Sequence, residues 1–361
     1  MQPRLTIGFL SQHNPYDRHA FSGTAFHLFH ALARRSDIEM RVLGSHRPPS
    51  RGRALLRRFG VGRDRPLDPD ALDLSGLDWI IGLAATDLLH ALLTRTGPEM
   101  VHVTDATPSF IRSFYGAEVS DEAQHREGEV VRKAALSVYS SRYMADRALA
   151  EFGPDPARIA AVPFGVNLEV MPAVPPVKPP LAPLRLLWVG NDWTRKGGQI
   201  ALDTLSVLRD AGQATTLSLV GDVPQHLTLP PGAERLGYLD KNRPQDAARL
   251  DQLFAEAHLF VLPTRADCTP MVVAEANANA TPVLITQTGG IGSLMVEGQN
   301  GQMMSMEAGP QDWADAIRTL TGDPDRYGAL CLSSFEHAQT RLTWEAWGRD
   351  VIDLMRRAGP A

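Results

Sequence analysis

The sequence predicts an α/β protein of two parallel-sheet domains that face each other across a cleft. Three observations carry that expectation. Short apolar runs alternate with helically spaced segments along the whole chain. A proline-rich stretch divides it near the middle. The chain has 361 residues with 43% hydrophobic side chains, enough for two cores of ordinary size.

In the first half, "RLTIGFL" (4–10) reads as a strand, and "GTAFHLFHALARR" (23–35) has helical spacing. "IEMRVLG", "LDWIIGL", "MVHVTD" and "LSVYSS" follow as further short apolar runs. In the second half, "LRLLWVG", "TTLSLVG", "LFVLP" and "PVLIT" read as strands, with helical segments such as "GGQIALDTLSVLRDAG" between them. Alternation of this kind marks parallel sheets covered by helices. Loops at the strand carboxyl ends then face the cleft, where such folds bind ligands. "MPAVPPVKPPLAP" (171–183) holds six prolines, so it forms neither helix nor central strand. It reads as a stiff extended linker, with a loop inside one domain as the alternative. The expected order is an N-terminal domain over 1–170, the linker over 171–183, a C-terminal domain over 184–340 and a closing segment over 341–361.

Composition narrows the function classes. The formal charge of −5, from 36 basic against 41 acidic side chains, gives no global attraction to nucleic acid. Two cysteines, Cys268 and Cys331, make no disulfide framework and point to a reducing cytosol. The start "MQPRLTIGFL" is too short and too soon polar for a signal peptide. No run approaches the roughly 18 apolar residues of a membrane span. A cytoplasmic protein is expected, with peripheral contact at the inner face of a membrane left open. The reason lies in "RPPSRGRALLRRFGVGRDR" (47–65), where Arg47, Arg51, Arg53, Arg57, Arg58, Arg63 and Arg65 meet a single acid, Asp64. Leu55, Leu56 and Phe59 sit among them at helical spacing. Such a segment lies on an anionic bilayer, holds an anionic soluble acceptor, or is a solvated loop.

The most informative stretch is "LFVLPTRADCTPMVVAEANANATPVLITQTGGIG" (259–292), which puts Asp267 eight positions before Glu275. A buried strand ends, Thr269 stands as a helix N-cap, Pro270 suits the first helical position, and the helix runs through "MVVAEANA". Its first free amides, near Met271, Val272 and Val273, form an anion site. Asp267 lies just outside it and Glu275 over a turn inside. With an anion on the amides, both carboxylates are free to accept from hydroxyls. Phosphate beside sugar hydroxyls is the chemistry of a nucleotide sugar. The plainer alternative has Asp267 capping a turn and Glu275 in a surface ion pair. Two further strand ends weigh against it. "TGGIG" (288–292) can bring bare backbone to a phosphate. "WVGNDWTRKGG" (188–198) carries Arg195 and Lys196, a pair of cations suited to a diphosphate.

At these residues the chain resembles the family 4 retaining glycosyltransferases of the GT-B fold, two Rossmann-like domains facing a cleft. The resemblance runs over nearly the whole chain. It is carried by "FSGTAFHLFHAL", by "VVRKAALSVYSSRYMADRALAEFGPDPARIAAVPFGVNLE" (130–169), and by "LWVGNDWTRKGG", "LSLVGD" and "RLGYLD" in family order. The stretch from Asp267 to Glu275 is similar to the Glu-x7-Glu motif. No single motif is specific; the ordered set is. The resemblance implies that Glu275 holds ribose hydroxyls and Asp267 contacts the donor sugar. Lys196 and Arg195 meet the diphosphate, Gly23 approaches it from across the cleft, and Tyr238 and Leu239 lie where the base binds. The closing helix "WEAWGRDVIDLMRR" (344–357) crosses back to the N-terminal domain in relatives.

There are departures. The first acid is Asp, one methylene short of Glu. Asn191 stands where an arginine is common. Where the family often has a histidine the chain reads "VHVTDATPS", leaving Thr104, Asp105 and His102 as alternatives. His102 is two residues early and on the sheet-packed side, so Asp105 is the preferred polar contact to sugar or acceptor. The implied reaction moves a sugar from a nucleoside diphosphate donor to a hydroxyl with retention. The 11 histidines are scattered without ligand spacing, so no metal or other cofactor is expected. Two other classes fit the same architecture: a nucleotide-sugar epimerase, and a non-catalytic binding protein for a sugar or nucleotide.

Overall fold

The computed structural model describes residues 4–18, 20–44, 46 and 67–359. The seven arginines of segment 47–65 lie outside the described residues. The chain divides into two compact units, one of Met1–Asn167 with Trp344–Ala361, the other of Leu168–Thr343.

The first unit is built on six parallel strands in the order β2-β1-β3-β4-β5-β6. Its elements run β1 (Leu5–Leu10), α1 (Thr24–Ala33), β2 (Ile38–Val42), β3 (Trp79–Leu83), α2 (Thr86–Leu92), β4 (Glu99–Thr104), α3 (Pro108–Tyr115), α4 (Asp121–Lys133), β5 (Leu136–Tyr139), α5 (Arg142–Phe152) and β6 (Ile159–Ala161). All residues of β3 and β5 are buried, as the continuous apolar runs predict for strands covered on both faces. Local chemistry sets the helix starts. Thr107 caps α3 ahead of Pro108, and Ser120 and Ser141 accept amide protons from Ala123 and Met144 at the heads of α4 and α5. Strand order reverses at β1, which pairs with β2 on one side and β3 on the other. The loops after β1 and β3 therefore flank the position where open α/β sheets take ligands.

The second unit repeats the plan. Its elements are β7 (Leu184–Gly190), α6 (Gly198–Asp210), β8 (Thr215–Gly221), β9 (Ala233–Gly237), α7 (Pro244–Glu256), β10 (Leu259–Leu262), α8 (Met271–Ala278), β11 (Val283–Thr286), β12 (Gly301–Met304), α9 (Pro310–Thr321) and α10 (Pro324–Arg341). The sheet is parallel in the order β12-β11-β10-β7-β8-β9. Here the reversal falls at β7, which pairs with β8 and β10.

The proline-rich stretch differs from the free spacer read in the sequence. It belongs wholly to the second unit, and its one cation fastens it. Lys178 Nζ donates to the carbonyls of Phe254 (3.2 Å), Ala255 (3.0 Å) and Asn279 (3.0 Å) and to the Thr281 hydroxyl (2.5 Å). It thereby closes the carboxyl ends of α7 and α8 together, where helix carbonyls lack internal partners. Burial draws the Lys178 pKa down to about 7. Next to it, His258 Nε2 donates to the Pro179 carbonyl (3.0 Å) while Nδ1 accepts the Arg185 amide (2.8 Å). Lys178→Met is expected to take the ammonium donor from the Ala255 carbonyl and to leave those of Phe254 and Asn279 with the Thr281 hydroxyl, at a cost of about 3 kcal/mol. In calorimetry that is a fall of about 6–12 °C in the unit's melting temperature. An unchanged melting temperature would mean that the prolines alone hold the segment.

The last helix, α11 (Trp344–Ala358), belongs to the first unit and packs on α1. Trp344, Trp347, Val351, Ile352 and Met355 are buried there, and Arg356 reaches Asp37 at 2.8 Å. The chain leaves this unit after Asn167 and returns at Trp344. Those two residues are bonded: Trp344 Nε1 donates to Asn167 Oδ1 at 2.9 Å.

Candidate active site

Strands β7 and β10 are neighbours in register (Leu259↔Leu186, Phe260↔Leu187), so the loops after them emerge side by side. That topology joins residues 71 positions apart: Lys196 Nζ lies 2.8 and 2.7 Å from the two carboxylate oxygens of Asp267. The loops also bond through backbone, Arg265 N to Arg195 O at 2.7 Å. Glycine permits the approach. Gly197 has a left-handed φ of 68°, and a Cβ there would stand 1.9 Å from the Pro263 carbonyl oxygen.

Asp267 is 5% exposed. It accepts from the Thr264 hydroxyl (2.9 Å), and Arg195 Nη1 is 3.8 Å away. Arg195 is committed elsewhere, with Nε on Asp192 (3.0 Å) and Nη1 on the Ala266 carbonyl (2.9 Å). The sequence-based picture of free carboxylates beside open cations is corrected here, because acids and cations are already paired with one another. The reason is burial: a carboxylate removed from water needs a counterion.

Glu275 follows the same rule. It is fully buried on α8, and Lys241 pairs with its Oε1. Its Oε2 is buried and has no hydrogen-bond partner among the described residues. Lys241 sits between β9 and α7. Its loop also carries Tyr238, 58% exposed, and the half-buried Leu239.

The head of α8 begins one residue later than the sequence suggests. Pro270 occupies the N-cap position with no capping side-chain bond, so Thr269 is not the N-cap. The Val273 amide is spent on the Pro270 carbonyl at 3.0 Å, which leaves those of Met271 and Val272 at the open end. In the glycine turn, the Gly290 amide donates to the Asp267 backbone carbonyl at 3.1 Å. It buttresses the Asp267 loop instead of offering that amide to a ligand.

In the first unit, Gly23 is buried at the N-cap of α1 with φ 89°. Phe21 and Ser22 before it are also left-handed, at 52° and 55°. Asn167 Nδ2 holds this turn through the Ser22 carbonyl (2.9 Å) and the Thr24 hydroxyl (3.3 Å). His102 is fully buried in β4, with Nε2 3.5 Å from Glu127 Oε1. Thr104 ends the same strand and is buried, and Asp105 is half-buried just beyond it.

Sequence reasoning missed Lys241, Asn167 and Glu127. Lys241 lies in the loop "LDKNRP", where one charge among others carries no pattern. Glu127 had a signal: it precedes Val130 and Val131 by three and four positions, so it shares their buried face. Among the described residues no group of three or more His, Cys, Asp or Glu stands together as a metal set.

Residues 183–323, which hold both acid–lysine pairs, match the family model described as Glycosyl transferases group 1. Residues 183–323 belong to that family. The group 1 glycosyl transferase domain thus coincides with most of the second unit. Glycogen synthase of Mycobacterium tuberculosis strain H37Rv is 29% identical over 279 residues, 75% of this chain and 65% of that one. The match thus spans just under two thirds of that relative's length. D-inositol 3-phosphate glycosyltransferase of Nocardiopsis dassonvillei is 26% identical over 322 residues, 82% of this chain and 73% of the relative. Among solved structures, sucrose-phosphate synthase from Thermosynechococcus elongatus superposes with a TM-score of 0.69 at 16% identity, covering 98% of this chain and 99% of that one. Anabaena HepE in complex with UDP gives 0.67 at 16%, covering 98% and 100%. These likenesses show the fold, which is GT-B: two parallel-sheet α/β units, the second of which holds the group 1 match.

Proposed function

We propose that the protein transfers a sugar from a nucleoside diphosphate sugar to a hydroxyl, with retention of configuration. The observation that carries this is the pair of buried acids in the group 1 domain, each held by a lysine from another loop. Glu275 Oε2, buried with no partner among the described residues, is the acceptor assigned to a ribose hydroxyl once the donor is seated. Tyr238 and Leu239 flank the base. Lys196, with Arg195 beside it, meets the diphosphate together with the amides of Met271 and Val272. Asp267, held by Lys196, orients the sugar. Gly23 contributes backbone toward the phosphate, and Asp105 a polar contact to sugar or acceptor.

In the reaction the bond from the anomeric carbon to the phosphate oxygen breaks, and one to the acceptor oxygen forms on the same face. The acceptor's proton passes to the leaving phosphate. Negative charge grows on the diphosphate as the bond breaks, and fixed cations stabilise it there most. No step needs a metal ion, so turnover should survive EDTA. HepE was solved with UDP-glucose, which makes uridine donors the first to try. Thermal-shift screening against UDP-, GDP- and ADP-sugars tests the proposal. One donor class should raise the melting temperature, and no shift with any of them would contradict it.

The basic segment 47–65 adds a proposed peripheral contact with an anionic membrane surface. Among the described residues no helix is long and apolar enough to cross a membrane, so attachment would be by surface charge and inserted apolar side chains. Each basic residue near the surface adds about 1 kcal/mol. Salt-sensitive co-sedimentation with anionic vesicles is expected, and its loss in the Arg53, Arg57, Arg58 triple alanine variant. A parent protein that stays in the supernatant with every lipid at low salt would rule the contact out and leave soluble anions as the target.

A further inference from the structure

The first unit holds a cavity of about 290 Å³ at the carboxyl ends of β1, β3 and β4, beside the reversal of strand order. That volume is near the lower end for small-molecule sites, about 300–1,000 Å³. It suits a single ring better than an extended chain. Leu88 and Ile111 are among its apolar lining, and Thr86, Thr104, Asp87 and Glu127 supply polar groups. Among the described residues no lysine or arginine lines it.

The two acids differ. Asp87 is compensated from outside, with Arg126 Nη1 3.1 Å from its Oδ1. Glu127 is 3% exposed and is held by neutral hydroxyls. Thr86 donates to Oε2 at 2.5 Å and Tyr139 to Oε1 at 3.3 Å. Among the described residues its one ion-pair partner is the buried His102, at 3.5 Å. A carboxylate set in this way accepts further hydroxyls readily. It repels a ligand phosphate or carboxylate, because no lysine or arginine of the described residues lines the cavity to offset the second charge.

We infer that this cavity seats the acceptor and that Glu127 restricts it to small, uncharged, hydroxyl-rich ring compounds. The inference rests on the transferase proposal above and adds the acceptor class to it. The ring's apolar face lies on the Leu88 and Ile111 side, and its hydroxyls donate to Glu127 and exchange hydrogen bonds with Thr104. Glu127 is a specificity residue and takes no part in bond breaking.

The test is binding without donor, so that it stands apart from turnover. Saturation-transfer NMR on the full chain compares myo-inositol and methyl glucoside with inositol 3-phosphate and glucose 6-phosphate. The neutral probes should bind about tenfold or more tightly than their phosphorylated counterparts. Glu127→Gln should narrow that ratio by admitting the phosphates. Ala123→Phe places a ring at a half-buried lining position one helical turn before Glu127, leaving the Glu127 charge in place, and should abolish binding of the neutral probes. It keeps the inference testable if Glu127→Gln fails to fold. Phosphorylated probes that bind as well as neutral ones would overturn the inference, as would neutral binding untouched by Ala123→Phe or absent from the parent. Donor shifts that persist in those cases leave the transferase proposal standing. Neutral binding without any donor shift would sink that proposal and leave a polyol site.

Discussion

Lys196→Ala is expected to slow sugar transfer by about 10²–10³-fold at saturating donor, the scale on which loss of one preorganised donor to a developing anion is felt. In the proposed reaction the charge facing Lys196 increases as the sugar–phosphate bond breaks, so turnover should suffer beyond donor affinity. Stability should fall as well. Among the described residues the variant leaves Asp267, 5% exposed, with the Thr264 hydroxyl at 2.9 Å and Arg195 at 3.8 Å. Breaking a buried pair from one side costs about 3–5 kcal/mol, which Arg195 offsets in part. The two effects separate in the Lys196→Ala, Asp267→Asn double variant, which removes both charges. Its melting temperature should recover while its turnover does not. If turnover returned with stability, Lys196 and Asp267 would be a structural ion pair and neither would act in transfer.

Glu275→Gln is expected to weaken nucleoside diphosphate binding by about 10–100-fold, the worth of a hydrogen bond to a charged group. Turnover of the bound complex should change far less, because the proposed ribose contact would be present before and during bond breaking. The structural motive is the buried Oε2 that has no partner while Oε1 faces Lys241. Titration calorimetry with the free nucleotide reads the effect without any acceptor. Unchanged affinity would remove Glu275 from the donor site.

The sheets were legible in the sequence because buried parallel strands write themselves as unbroken apolar runs; "LDWIIGL" and "LSVYSS" contain β3 and β5. The acid spacing was legible too, since it lies within one loop and one helix. Charge pairing was not. Lys196 meets Asp267 only because β7 and β10 are adjacent, and strand order cannot be read from the runs themselves. The prolines of 171–183 looked like a spacer because composition reports stiffness, whereas Lys178 decides where the segment is fastened. Thr269 resembled an N-cap by residue type, yet the helix starts beyond it because Pro270 occupies that place. Glu127 was hidden by its charge: a buried acid reads as a surface residue until its helix face is counted against Val130 and Val131.

The central claim is that a nucleoside diphosphate sugar, held by Lys196 and Glu275, gives up its sugar with retention. The most direct measurement follows the anomeric proton by NMR while the full-length protein consumes a donor from the UDP-, GDP- and ADP-sugar panel, with a neutral cyclic polyol present. The account predicts release of the nucleoside diphosphate and a product whose anomeric coupling matches that of the donor, both lost in Lys196→Ala. A product of inverted configuration, or a donor that binds and is never consumed, would contradict it.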